Sequence, residues 1–274
     1  MDPTLRRQLE GALERRELTV HYQPKFHLTT GEVQGVEALL RWRTDAGAWI
    51  APSTFVPILE QTGMIDEVGI WLFERAAADY AYWHSHGQSA LRVAINISPL
   101  QLREQRFLSW ILSICNEWDA CGAGLDLELT ESALLPDSYD VAGALNALAA
   151  ANVRIALDDF GTGYSSLSLL TRLPVRHLKI DRSFVSQLGL SRKAEAIVAA
   201  IIRLGREIGL ETIAEGIETE CQLDYVRELG CDIGQGYYFS PALTREDLLV
   251  RLRVPTAAPP PIRSASARPR QALS

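Results

Sequence analysis

The chain has 274 residues, of which 47% are hydrophobic and 22% charged, and its formal net charge is −7. This composition excludes wholesale disorder, and the length is sufficient for one large domain or two small ones with a buried core. The negative balance argues against a protein that wraps long nucleic acid, although a few local cations or bound metals could still hold a small phosphate ligand.

Short apolar runs typical of strands alternate with longer segments of helical periodicity. The N-terminal segment 1–18 carries Leu5, Leu9 and Leu13, which predicts an amphipathic helix that forms part of the domain. Strands are predicted at Thr19–Gln23, Val33–Arg41, Leu91–Ile97, Leu125–Thr130, Val153–Leu157, His177–Ile180, Glu211–Ala214 and around Cys231–Ile233. Helical stripes between them are predicted around 65–83, 107–118 and 197–208.

About eight strands alternating with helices over residues 19–254 predict one α/β domain, a (β/α)8 barrel. An open doubly wound sheet is the competing architecture, but no GxGxxG motif lies at a first strand-to-helix turn. The segment 255–274 has five prolines, three arginines and no acidic residue, which predicts a disordered tail.

The spacing of the cysteines and the charge of the N-terminus indicate in which cellular compartment the chain resides. The four cysteines form no CxxC pair, which is typical of a reducing environment. The N-terminus carries charges throughout and lacks the apolar region of a secretory signal, and the longest apolar stretch, 196–202, is too short to span a bilayer. We therefore expect a cytoplasmic chain without membrane insertion.

Polar residues interrupt the apolar strands on one face. In Leu125–Thr130 the leucines share a face and Glu128 lies on the other, so in a barrel covered by helices Glu128 points inward. The same alternation places Asn96 and Asp158 inside. Lys179 and Asp181 share one face in the same way. The alternation is less clear at Glu37 and Glu215, where an inward position requires a strand end or a bulge.

Several carboxylates inside a barrel repel one another and resist desolvation unless they are paired or bound to metal. Oxygen ligands select hard ions such as Mg²⁺ or Mn²⁺, and the adjacent Asp158 and Asp159 could serve two of them. Two-metal centres activate water and stabilise both oxygens of a phosphodiester displacement. The residues therefore predict a metal-dependent hydrolase of a phosphate ester, with a glycine-containing loop, DDFGTGYSSL, directly beside the site.

These motifs together resemble the EAL domain family of cyclic di-GMP phosphodiesterases. The matching segments, in the family's order over residues 5–253, are YQPK from Tyr22, EALLRW from Glu37, NIS from Asn96, ELTES from Glu128, DDFGTGYSSL from Asp158, LKID from Leu178, AEGIE from Ala214 and QGYYFSPAL from Gln235. The resemblance implies a modified TIM barrel with one antiparallel strand. It also implies hydrolysis of cyclic di-GMP to linear pGpG, which lowers the level of a bacterial second messenger.

The resemblance also implies a role for individual residues. Two divalent cations, Mg²⁺ or Mn²⁺, would be held by Glu37, Asn96, Glu128, Asp158, Asp159, Asp181 and Glu215. Lys179 would orient or help to activate the attacking water, with Glu37 and Glu215 as further catalytic residues. Substrate would be bound by Gln23, Leu39, Arg41, Asp159 and Gln235. Glu131 would anchor the DFGTGYSS loop, which shapes the metal site and couples it to dimerisation.

Partners and alternatives follow from the same comparison. The resemblance implies a homodimer and regulation by a sensor or signalling protein in trans, whether the EAL segment stands alone or was excised from a longer chain. One alternative is a cyclic di-GMP receptor that binds the nucleotide without cleaving it. Another is a protein-interaction regulator with no nucleotide role, in which the carboxylates of the barrel are structural.

Overall fold

The alternating apolar runs form the strands of a barrel and the periodic segments form the helices around it. The computed structural model describes residues 3–88, 91–117, 124–131, 141–162 and 167–253. The strands are β1 Leu18–His27, β2 Val33–Arg43, β3 Trp49–Ile50, β4 Arg92–Ile97, β5 Leu125–Thr130, β6 Arg154–Phe160, β7 Val175–Ile180, β8 Glu211–Ala214 and β9 Ile233–Gly234. The helices are α1 Pro3–Leu9, α2 Pro52–Thr62, α3 Ile65–Ser85, α4 Pro99–Arg103, α5 Gln105–Glu117, α6 Val141–Ala150, α7 Leu167–Arg172, α8 Arg182–Val185, α9 Arg192–Ile208, α10 Glu220–Glu228 and α11 Arg245–Arg253.

Within the described residues, eight strands close into a barrel in the order β1-β9-β8-β7-β6-β5-β4-β2, and β2 pairs again with β1. The two-residue strand β3 is additional to the barrel and pairs antiparallel with the last two residues of β2. Strands β2 and β4 to β9 run parallel, whereas β1 pairs antiparallel with both β2 and β9. The expected modified TIM barrel with one antiparallel strand is confirmed.

Strand β1 extends to His27, four residues beyond its predicted end, and includes Pro24. The backbone N–H of Tyr22 donates to the carbonyl of Leu243, on the edge of β1 that faces away from β2. Alternation places the missing N–H of Pro24 on this same edge, where β9 pairs with β1 only from Phe26 onward. The proline therefore costs the β1–β2 ladder no hydrogen bond.

The apolar core lies between the outer faces of the strands and the surrounding helices. Leu125, Leu127 and Leu129 of β5 are buried in it, as their alternation predicts. A second cluster joins the N-terminal segment to α2 and β2 through Leu9, Trp42 and other residues. Helix α1 is shorter than predicted, because the chain turns at Gly11, which has a φ of +76°.

No helix in the described segments combines the length and apolar character that crossing a bilayer requires. The predicted tail at 255–274 and the predicted end of the second helical stripe at Trp118 lie outside the described residues.

Candidate active site

Glu128 lies inside the barrel on β5 and is 1% exposed. The ammonium of Lys25 pairs with its Oε1 atom and the ammonium of Lys179 pairs with its Oε2 atom. Burial by itself would raise the pKa of Glu128, but the charges and hydrogen bonds of Lys179 and Lys25 lower it to about 2. Glu128 is therefore an ionised carboxylate held at both oxygens.

Lys179 connects three carboxylates from three different strands. Besides Glu128, its Nζ atom lies 3.0 Å from Oδ2 of Asp158 at the end of β6 and 2.6 Å from Oε1 of Glu215. Burial opposes the charged form of Lys179, but Glu128 and Glu215 hold the pKa of its ammonium well above the ordinary value. The four side chains form one charged cluster at the carboxyl ends of the parallel strands, where TIM barrels carry their active sites.

Glu37 is held differently, by two amides. Nδ2 of Asn96 donates to Oε1 of Glu37 at 2.7 Å, and Nε2 of Gln235 donates to Oε2 at 2.6 Å. Gln235 also donates to Oε1 of Gln23 at 3.1 Å. Burial and the charge of Glu128 raise the pKa of Glu37. The sequence pattern left the direction of Glu37 open, and the structure places it inside through ordinary strand alternation, since Val36 lies in the outer core.

Glu215 does require a strand end, since it follows the last residue of β8, and its N–H donates to the carbonyl of Ile180. Burial raises the pKa of Glu215 to about 8, with the charge of Asp158 adding to the effect and that of Lys179 opposing it. This carboxyl group therefore titrates close to neutral pH.

Asp159 adopts a φ of +54°, and its N–H donates to Oδ1 of Asp158 at 2.9 Å. Burial and the charge of Asp158 raise the pKa of Asp159. Oδ1 of Asp181 accepts a hydrogen bond from the N–H of Ser183 and caps α8, and the charge of Asp181 also raises the pKa of Asp159. Glu131 is buried directly after β5, but residues 163–166 of the loop that it was predicted to anchor lie outside the described residues.

Four of the five predicted substrate-binding residues line two cavities that share Leu39, and Asp159 lines neither of them. The smaller, of about 160 Å³, contains Gln23, Gln235 and the acids Glu37 and Glu215. The larger, of about 410 Å³, contains Arg41 and Asn96 and has mostly apolar walls. Arg41 is half-buried, and its Nη1 atom donates to the carbonyl of Leu40 at 3.1 Å. A ligand that spans both cavities would pass over Leu39.

The chemistry of these side chains fits a divalent cation. The acids Glu37, Glu128, Asp158, Asp159 and Glu215 outnumber the ammoniums of Lys25 and Lys179 by three. Within the described residues the buried Oε1 atom of Gln235 has no hydrogen-bond partner, and Oε1 of Glu215 has its contact with the ammonium of Lys179. Carboxylate and amide oxygens are the ligands that Mg²⁺ and Mn²⁺ prefer. Among the described residues no three acidic, histidine or cysteine side chains are already arranged around a metal position, and the ammonium of Lys179 lies among the carboxylates instead.

The sequence patterns gave no role to three residues that the structure brings to the site. Lys25 pairs with Glu128, while Arg182 and Tyr237 line the smaller cavity. The position of Lys25 was predictable in principle, because it lies two residues from Gln23 on the same face of a strand. Arg182 begins α8 and Tyr237 lies in the turn after β9, both beyond strand ends, where alternation no longer predicts direction.

A closed barrel with an acidic cluster at the carboxyl ends of its strands is typical of TIM-barrel enzymes. The family model for the EAL domain matches residues 6–242, and the chain belongs to this family, as the motifs predicted.

Two relatives from Pseudomonas aeruginosa are similar along most of the chain. The bifunctional diguanylate cyclase/cyclic di-GMP phosphodiesterase MucR is 40% identical over 241 residues, which cover 88% of this chain and 35% of MucR. The cyclic di-GMP phosphodiesterase NbdA is 37% identical over 260 residues, which cover 94% of this chain and 33% of NbdA. The chain thus spans about a third of the length of these relatives.

Among solved structures, the PaMucR phosphodiesterase in complex with c-di-GMP matches with a TM-score of 0.86 and 39% identity, covering 89% of this chain and 99% of that one. The match therefore extends over nearly the whole of that solved chain.

Proposed function

We propose that this chain is a metal-dependent phosphodiesterase that hydrolyses cyclic di-GMP to linear pGpG. The observation that carries the proposal is the convergence of Glu128, Asp158 and Glu215 on Lys179, beside a Glu37 that two amides hold in place. Membership of the EAL family and the names of MucR and NbdA support the choice of substrate.

In this proposal, Glu37, Asn96, Glu128, Asp158, Asp159 and Glu215 hold two divalent cations, Mg²⁺ or Mn²⁺. Bound cations would supply a Lewis acid for the phosphate oxygens and lower the pKa of a bound water. Asp181 lies near the same cluster, and its Oδ1 atom accepts a hydrogen bond from the N–H of Ser183. Its contribution would then be to the charge of the site and to the start of α8.

The substrate has two guanosine halves, and the two cavities on either side of Leu39 offer one compartment for each. Arg41 supplies a cation for a substrate phosphate in the larger cavity. Gln23 and Gln235 supply amides in the smaller cavity. The apolar walls of the larger cavity suit the face of a base, which fixes the ligand through packing as well as through charge.

The reaction forms one bond between a water oxygen and phosphorus and breaks the bond from phosphorus to the ribose 3′ oxygen. Lys179 holds the attacking oxygen through its ammonium donors. The proton that the water gives up would pass to the carboxylate cluster, where Glu215 beside Lys179 is the proposed acceptor. The 3′ oxygen leaves as a hydroxyl after it gains a proton, so one water is consumed for each pGpG released.

The test is incubation of the purified protein with cyclic di-GMP and Mg²⁺ or Mn²⁺, with separation of the products by ion-pair chromatography. We expect pGpG only when metal is present, and none from Glu37→Ala or Asp158→Ala, because each removes a proposed metal ligand. Circular dichroism of both variants checks that the barrel is intact. Turnover that survives in either variant contradicts the site, and binding of cyclic di-GMP without product supports a receptor instead.

A further inference from the structure

A second buried ammonium, that of Lys25, lies inside the barrel and takes no part in the chemistry proposed above. Lys25 is 5% exposed and projects from β1 on the same face as Gln23. Its ion pair within the described residues is with Glu128, at Oε1. Burying an ammonium is costly unless a partner compensates it, so the barrel retains this group against a desolvation penalty.

The surrounding residues accommodate the pair. Ala156 of β6 stands directly beside Glu128 in the sheet register, and Ala94 of β4 lies on the inward face two residues before Asn96. Both alanines are buried, and their short side chains leave space for the lysine stem. The interior at this level therefore holds Glu128 between the ammoniums of Lys25 and Lys179, in a layer that apolar side chains of ordinary size could otherwise fill.

Lys25 and Lys179 have different sets of partners. Lys179 contacts Asp158 and Glu215 as well as Oε2 of Glu128, so this oxygen is turned toward the other acids of the site. Lys25 binds the opposite oxygen, Oε1. Because both ammoniums act on one carboxylate, the orientation of Oε2 depends on where Lys25 holds Oε1.

We propose that Lys25 is a positioning residue for the metal site: it fixes Oε1 of Glu128 and thereby directs Oε2 toward the bound cation. This inference rests on the proposed function, because it assumes that Glu128 is a metal ligand. Partners that orient a metal ligand without touching the metal are worth about 10- to 100-fold in metal affinity or activity when they are removed.

The experiment measures Mn²⁺ binding directly, by the electron paramagnetic resonance signal of free Mn²⁺, without nucleotide. We expect Lys25→Met to bind Mn²⁺ about 10- to 100-fold more weakly than the unchanged protein. The matched control is Arg92→Met, which removes the cation of another buried ion pair in the same barrel, between Arg92 Nε and Asp126 Oδ1 at 2.7 Å. This control should lower the melting temperature in EDTA but leave Mn²⁺ affinity unchanged.

The proposal is overturned if Lys25→Met binds Mn²⁺ as tightly as the unchanged protein or more tightly. It is also overturned if Arg92→Met loses as much Mn²⁺ affinity as Lys25→Met does. If Lys25→Met does not fold, Lys25→Leu decides by the same criterion, because it removes the ammonium and offers no donor to Oε1 of Glu128. An unchanged protein that binds no Mn²⁺ also overturns it. An unchanged protein that binds Mn²⁺ without producing pGpG refutes the phosphodiesterase and leaves the role of Lys25 standing.

Discussion

Glu128 and Glu37 illustrate two ways in which one barrel holds a buried carboxylate. Two ammoniums surround Glu128 and lower its pKa to about 2, whereas burial and the charge of Glu128 raise the pKa of Glu37, which amides hold. Amides orient an acid without stabilising its charge as strongly as an ammonium does. The site thus combines a permanently ionised acid with acids that gain a proton more readily, which suits a centre that exchanges protons with water.

An ion pair at the amino ends of β7 and β8, opposite the acidic cluster, provides a test of pH dependence that is independent of the metal site. Nε2 of His177 lies 2.9 Å from Oε2 of Glu211, and this hydrogen bond lowers the pKa of Glu211 from 4.5 to about 2. Because the folded state binds the proton less tightly than the unfolded state, the stabilisation is complete above about pH 4.5 and is lost as the pH falls toward 2.

We therefore expect the melting temperature of the unchanged protein to fall more steeply between about pH 5 and pH 3 than that of Glu211→Gln, which cannot ionise. A series of thermal melts across this range, in EDTA to exclude metal effects, measures the difference. Parallel curves for the two proteins would mean that the pair does not contribute to the acid sensitivity of the fold.

At the scale of elements, the loop after β9 depends on a close backbone contact. A Cβ atom at Gly236 would lie 2.1 Å from the carbonyl oxygen of Ile217. Two backbone hydrogen bonds hold Ile217 against this loop. The N–H of Ile217 donates to the carbonyl of Gln235, and the carbonyl of Ile217 accepts from the N–H of Tyr238. Any larger residue at 236 must separate the two loops and move Gln235 away from Glu37.

We expect Gly236→Ala to cost about 3 kcal/mol of unfolding free energy and to abolish most turnover. The control is Gly209→Ala, at the end of α9, where φ is +74° and nothing lies within 4 Å of the added carbon. It should cost only about 1 kcal/mol and retain activity, because the penalty is backbone strain alone. Urea unfolding and product assays measure both; similar losses in the two variants would contradict the role of the contact.

The sequence predicted strands well where a short apolar or alternating run has clear ends. The observed bounds of β5 and β8 equal the predicted ones. It failed at β1, because the effect of Pro24 depends on which edge of the strand is paired, and pairing is a tertiary property. Alternation predicted that Asp181 shares a face with Lys179, but it does not show that Oδ1 of Asp181 also caps α8 through the N–H of Ser183.

At the scale of the whole molecule, a buried polar network holds the antiparallel strand in the barrel. Asp79 of α3 is 1% exposed; it accepts from the hydroxyl of Tyr22 at 2.6 Å and pairs with Arg245 of α11 at 3.3 Å and with Arg75 at 3.0 Å. Three elements that are distant in sequence thus meet at one carboxylate, on the outer side of β1.

We expect Asp79→Ala to lower the unfolding free energy by about 3 kcal/mol, because it leaves the buried hydroxyl of Tyr22 without its acceptor and removes the carboxylate that Arg75 and Arg245 share. Arg75→Ala serves as the matched control: its side chain is 47% exposed, so the loss should be below about 1 kcal/mol. Urea denaturation compares the two. A loss in Arg75→Ala as large as that in Asp79→Ala would place the stabilisation in the surface pair.

The site as a whole could be predicted as a set of inward charged residues, since Glu128, Asp158 and Lys179 follow from alternation within single strands. What alternation could not provide is pairing across the barrel, such as Lys25 with Glu128 or Gln235 with Glu37, residues separated by 103 and 198 positions in the chain. These pairs depend on barrel closure and on the reversed direction of β1, neither of which is a local property of the sequence.

The reversed strand makes the composition of the site depend on register. His21, Gln23 and Lys25 stand opposite Leu39, Glu37 and Gly35 of β2. A slip of one residue would turn all three outward, and a slip of two would place Gln23 where Lys25 now meets Glu128. The connection between the strands is tight, with His27 and Gly31 joined by a backbone hydrogen bond of 2.8 Å. The length of a surface turn that contributes no residue to the site therefore determines which side chains reach it.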